Sequence, residues 1–66
     1  MTEADVIING KPLSFGQAMA LRVACTTFHM DMADPEALGD DEHGRAMTAA
    51  YRQRLTEVLQ LLIAPA

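Results

Sequence analysis

The chain has 66 residues, enough for one small domain and no more. A domain of this size buries only about 60% of the surface its unfolded chain exposes, so its own core is thin. Its single cysteine, Cys25, excludes an intrachain disulfide, and nine acids against five bases give a net charge of −4, which disfavours nucleic-acid binding through phosphate contacts. The acidic start reverses the basic head of a signal peptide, and no apolar run approaches a membrane span. The expected setting is the cytoplasm, or the host cytoplasm for a phage-encoded chain. Half the residues are apolar, but with one Tyr, two Phe and no Trp. Aliphatic and Met side chains must therefore build the core, and five Met imply adaptable packing.

Taken in order, residues 1–13 read as an extended arm whose first five residues are a frayed polar tail. Val6-Ile7-Ile8 is β-branched and runs into Asn9-Gly10, a strong turn signal. The return segment, Lys11-Pro12-Leu13, is short and contains a proline that cannot donate to a ladder. The expectation is an arm with a turn rather than a stable hairpin.

Residues 14–33 predict the first helix, with Ser14 as N-cap and Gln17 completing a capping box. The helical period yields two apolar stripes. Met19, Val23 and Met30 line one; Leu21, Cys25, Phe28 and Met32 line the other. Small residues, Ala20, Ala24 and Thr27, lie between the stripes on one side, and Arg22, Thr26 and His29 form a polar seam on the other. Asp34-Pro35 ends the helix, because proline disfavours α geometry before it. Residues 34–39 form the connector, with Gly39 suited to a left-handed closing position. Residues 40–63 predict the second helix, with Asp40 as N-cap, Asp41 and Glu42 in the first turn, and one stripe of Met47, Tyr51, Leu55, Val58 and Leu62.

The fold class is therefore mostly all-α, an antiparallel two-helix hairpin in a single domain. The second helix can cover one stripe of the first. The remaining stripe calls for another copy of the chain, giving a homo-oligomeric bundle, a dimer or higher. The candidate oligomer interface is drawn from both stripes: Met19, Leu21, Val23, Cys25, Phe28 and Met32.

Chemistry-bearing clusters are sparse. Cys25, His29 and His43 lack the four ligands and spacing of a closed zinc site, so no metal or cofactor is expected. The acids at 31, 34, 36, 40, 41 and 42 lack the order of an EF-hand loop; the plain reading is capping and solvation. The functional reading is an acidic tip, Asp34, Glu36, Asp40, Asp41 and Glu42, that docks on a basic protein surface. An alternative joins Arg22, Arg45, Tyr51 and Arg52 between subunits into a site for a phosphorylated small molecule or cyclic nucleotide. No nucleophile, oxyanion hole or phosphate loop accompanies the histidines, so no enzyme is expected.

The string Leu38-Gly39-Asp40-Asp41-Glu42-His43-Gly44, with Ile8-Asn9-Gly10, Leu13, Gln17, Met19, residues 21–24, Met47, Tyr51 and Arg54, resembles a group of very short bacteriophage and prophage proteins. That resemblance implies a context: small acidic oligomers that inhibit a host defence or regulatory protein by binding it, or that act as a sponge for a signalling nucleotide.

Overall fold

The computed structural model describes residues 3–63. It contains β1 (Ile7–Ile8), β2 (Lys11–Pro12), α1 (Phe15–Asp31) and α2 (Glu42–Ile63), in that order. The arm folds further than its sequence suggests. β1 and β2 pair antiparallel, with Ile7 opposite Pro12 and Ile8 opposite Lys11. Asn9 and Gly10 both take positive φ, 52° and 77°, the requirement of a tight turn whose twist matches the strands. Pro12 is tolerated because the ladder is short and its outer bond, Leu13 N–H to the Val6 carbonyl at 2.8 Å, falls beyond the proline.

α1 begins as its sequence dictates. Gln17 N–H donates to Ser14 Oγ at 3.1 Å, and Ser14 N–H donates to Gln17 Oε1 at 2.9 Å, a complete capping box. The helix ends two residues earlier than expected. From Met32 the chain enters successive turns, in which Asp34 Oδ1 accepts from Glu36 N–H at 2.9 Å and Gly39 N–H donates to the Glu36 carbonyl. Gly39 has φ +138°, where a side chain would strain the backbone.

The start of α2 corrects the expected cap by one residue. Asp41, not Asp40, is the N-cap: its Oδ1 accepts from Gly44 N–H at 2.7 Å, and its carbonyl accepts from Arg45 N–H. The physical reason is the approach of Gly39 to Gly44. A Cβ on Gly44 would lie 2.7 Å from the Gly39 Cα, so the backbones are nearly touching there. The connector folds back onto the first turn of α2, and Asp40 belongs to that fold-back.

The antiparallel helices pack through one face of each. On α1 the inward stripe contains Ala18 and Met32, both buried, with Leu21 and Cys25 half-buried between them. On α2 the inward face is rotated from the expected stripe. Thr48 is buried and Leu55, Leu59 and Leu62 are half-buried, whereas Tyr51 and Val58 stand at the exposed margin. Thr48 holds this rotation because its hydroxyl accepts from Leu38 N–H at 3.1 Å and donates to the Gly44 carbonyl at 2.8 Å. The Phe28 and Tyr51 rings meet edge to face, 5.9 Å between centroids, along one margin of the helix pair. His29 Nε2 and Thr56 Oγ1 lie 2.9 Å apart along the other.

Candidate interaction surface

The hairpin covers little of its own apolar surface. Among the described residues only Ala18 and Met32 are fully buried hydrophobics, at 2% and 3% exposure. The accessible surface is 5052 Å². A compact monomer of this mass exposes about 4,100 Å², so the excess over the whole chain is about 950 Å². The radius of gyration, 13.8 Å, likewise exceeds the roughly 11 Å of a compact domain of this length.

The structure resolves which stripe of α1 is spent inside. Leu21, Cys25 and Met32 face α2, so these three expected interface residues serve the intrachain seam; Met32 is fully occupied there. Phe28 sits at the margin with Tyr51. Met19 and Val23 face outward, joined by Met30 at 69% exposure and by Phe15 at 57%. Phe15 was hidden in the sequence by its place inside the capping box, but it lies one turn before Met19 and extends the same stripe. The only charged residues of α1, Arg22 and Asp31, lie off this outward face.

The acidic tip is partly consumed by the fold. Asp34 closes a turn, Asp41 caps α2, and Glu36 accepts from Arg45 at 2.9 Å across an exposed ion pair. Asp40 and Glu42 carry no side-chain hydrogen bond among the described residues. All five remain at the surface of one end of the molecule.

Within one copy the four residues of the alternative ligand site, expected to form between subunits, are engaged separately. Arg22 grips Glu3 with two bonds, 2.9 and 3.2 Å, and Arg45 holds Glu36. Arg52 is exposed on α2, and Tyr51 is turned to Phe28. A phosphate would first have to displace carboxylates from two of the three arginines. The Arg22 hydrogen bond, helped by its positive charge, lowers the Glu3 carboxyl below its ordinary value, and the Glu3 bond raises the Arg22 guanidinium. Glu3 therefore departs from the frayed tail expected for residues 1–5. Nothing marked it in sequence, because the pair spans 19 positions and depends on how the arm crosses the helices.

That crossing leaves an open apolar groove of about 310 Å³ between the arm and the end of α2, lined by Val6, Ile7, Leu21, Val58, Leu61 and Leu62. No group of three or more His, Cys, Asp or Glu able to hold a metal occurs among the described residues, where no helix is long and apolar enough to cross a membrane. No protein-family model, curated protein or solved structure matches this chain at a significant level.

Proposed function

We propose that this chain is a non-enzymatic interaction protein that works as an assembly of its own copies in the cytoplasm. The observation that carries the reading is the outward face of α1, where Phe15, Met19, Val23 and Met30 stand 57%, 40%, 50% and 69% exposed. Self-assembly hides this face, and the acidic connector of each copy stays free to meet another protein. In its specific form the reading is a phage-encoded inhibitor whose acidic ends dock on a basic surface of a host defence or regulatory protein. The carboxylates gathered in the turns before α2 support that contact, because they steer a basic partner without requiring the fold to rearrange.

The experiment has two arms. Sedimentation velocity across a dilution series should show dimers or larger species that dissociate on dilution. A variant carrying Asp34→Asn, Glu36→Gln, Asp40→Asn and Glu42→Gln keeps the Asp41 cap, and Asn at 34 keeps the turn acceptor. It should assemble normally while losing a host protein captured by the wild type. A compact monomer at every concentration refutes the assembly, and undiminished capture refutes the acidic contact.

A further inference from the structure

We propose that Asn9 is a site of spontaneous covalent modification, where conversion of its side-chain amide to isoaspartate opens the β1–β2 turn and frees the arm from the helices. The inference stands apart from the assembly reading. Asn9 is the only asparagine of the chain, and a glycine follows it. Three features of the turn leave the reacting atoms unprotected. Asn9 and Gly10 are both exposed, so water and hydroxide reach them. Among the described residues the Gly10 N–H donates to no acceptor, whereas Leu13 N–H is held by the Val6 carbonyl at 2.8 Å. A Cβ added to Gly10 would meet nothing within 4 Å, so the outer side of the turn is open.

The chemistry needs only water. The Gly10 nitrogen loses its proton and attacks Cγ of Asn9; the bond from Cγ to the amide nitrogen breaks, ammonia leaves with that proton, and a five-membered succinimide closes. Water then opens the ring. Breaking its Cγ–N bond gives aspartate; breaking the bond from nitrogen to the main-chain carbonyl carbon gives isoaspartate, whose main chain is one carbon longer. The fold sets the rate. The paired strands hold Asn9 at φ 52° and Gly10 at 77°, and ring closure requires the peptide between them to rotate out of this turn. Attack therefore accompanies local opening of the hairpin, which the Leu13–Val6 bond and the Glu3–Arg22 ion pair oppose. The two products differ in effect. Aspartate tolerates the left-handed region as asparagine does, so the turn survives. Isoaspartate lengthens the loop, and loop length fixes the register that sets Ile7 opposite Pro12. The arm then loses the closure that lays Val6 and Ile7 beside Leu21, Val58, Leu61 and Leu62.

Incubation of the full chain at mildly alkaline pH tests this, with isoaspartate read after digestion by peptide mapping and an isoaspartate-specific methyltransferase label. The folded chain should accumulate isoaspartate at position 9, faster as pH rises, and several-fold more slowly than the same chain in guanidinium chloride. Glu3→Gln, which loosens the arm, should bring the folded rate towards the denatured rate. Asn9→Gln should abolish the label, because its ring would need a sixth member. A folded chain without isoaspartate when the denatured sample has converted would overturn the site. Equal rates in the two conditions would overturn the control by the hairpin, and a Glu3→Gln rate equal to the wild type would overturn the part played by the ion pair. Hydrogen exchange of the purified products tests the consequence. Leu13 N–H should lose its protection in the isoaspartate chain and keep it in Asn9→Asp; protection retained in the isoaspartate chain would overturn release of the arm.

Discussion

Replacing a helical glycine by alanine ordinarily stabilises, and here the same substitution should have opposite signs at two positions. Alanine gains about 1 kcal/mol over glycine within a helix. At Gly16 an added Cβ meets nothing within 4 Å, so Gly16→Ala should keep up to about that amount. At Gly44 the added Cβ would lie 2.7 Å from the Gly39 Cα, 2.8 Å from the Gly39 carbonyl carbon and 2.8 Å from Asp41 Oδ1. Two of these are backbone atoms, and ordinary carbon contacts begin near about 3.5 Å, so the connector must withdraw by roughly 0.8 Å. That movement lengthens the Asp41 cap to Gly44 N–H and pulls Leu38 N–H from the Thr48 hydroxyl. A lost cap costs about 1 kcal/mol, and a part-buried donor left without its acceptor costs about 1–3 kcal/mol. Set against the helix gain, Gly44→Ala should destabilise by about 1–3 kcal/mol, lowering the melting temperature by roughly 4–24 °C in a domain this small. Urea unfolding at one fixed protein concentration compares both variants with the wild type, and a second concentration separates any change in assembly. A Gly44→Ala protein as stable as the wild type would refute the close approach, and with it the fold-back of the connector.

The remaining predictions use the same assays. Asp41→Ala should cost about 1 kcal/mol and Asp40→Ala almost nothing, since only Asp41 accepts from the helix; equal losses would reject the cap assignment. Thr48→Val keeps the shape but leaves Leu38 N–H unpaired, and should cost about 1–2 kcal/mol where Thr48→Ser costs less than 1; a neutral valine would show that the hydroxyl bridge contributes nothing. Glu3 has a folded-state pKa below its unfolded value, so its pairing with Arg22 contributes fully above the unfolded carboxylate range and fades as pH falls through the lowered value. Glu3→Gln should therefore be less stable than the wild type near neutrality and converge with it in acid; parallel stability curves would reject the pair's role.

What the sequence makes legible here is local. Ser14 and Gln17 lie three positions apart, and their box can be read directly because both partners belong to one turn. Asn9-Gly10 specifies its turn in the same way, although its strands were expected to be too weak to pair. The two stripes of α1 follow from the helical period alone. Which of them faces inward does not, because both are apolar and the choice depends on where the connector delivers α2. That delivery is set by Gly39, Gly44 and Thr48, three residues whose spacing looks unremarkable until the connector folds back. The same long-range dependence hid Glu3. Its carboxylate is indistinguishable from any tail acid until the arm crosses to Arg22.

The two helices divide the work of the chain. α2 holds all but two of the five basic residues and presents a polar back to solvent, as a helix with one buried face should. α1 carries a formal charge only at Arg22 and Asp31, and Arg22 is neutralised by Glu3 within the same copy. The pair thus does more than fasten the arm: it removes a charge that would otherwise border the uncovered stripe. An arginine left free there would repel its symmetry mate across any two-fold seam. The link can be measured. Glu3→Gln should weaken dimerisation as well as folding, with the dimer loss growing as salt is lowered and the Debye length increases. A dimer constant unchanged by Glu3→Gln at low salt would separate the arm from the assembly and confine the pair to the fold.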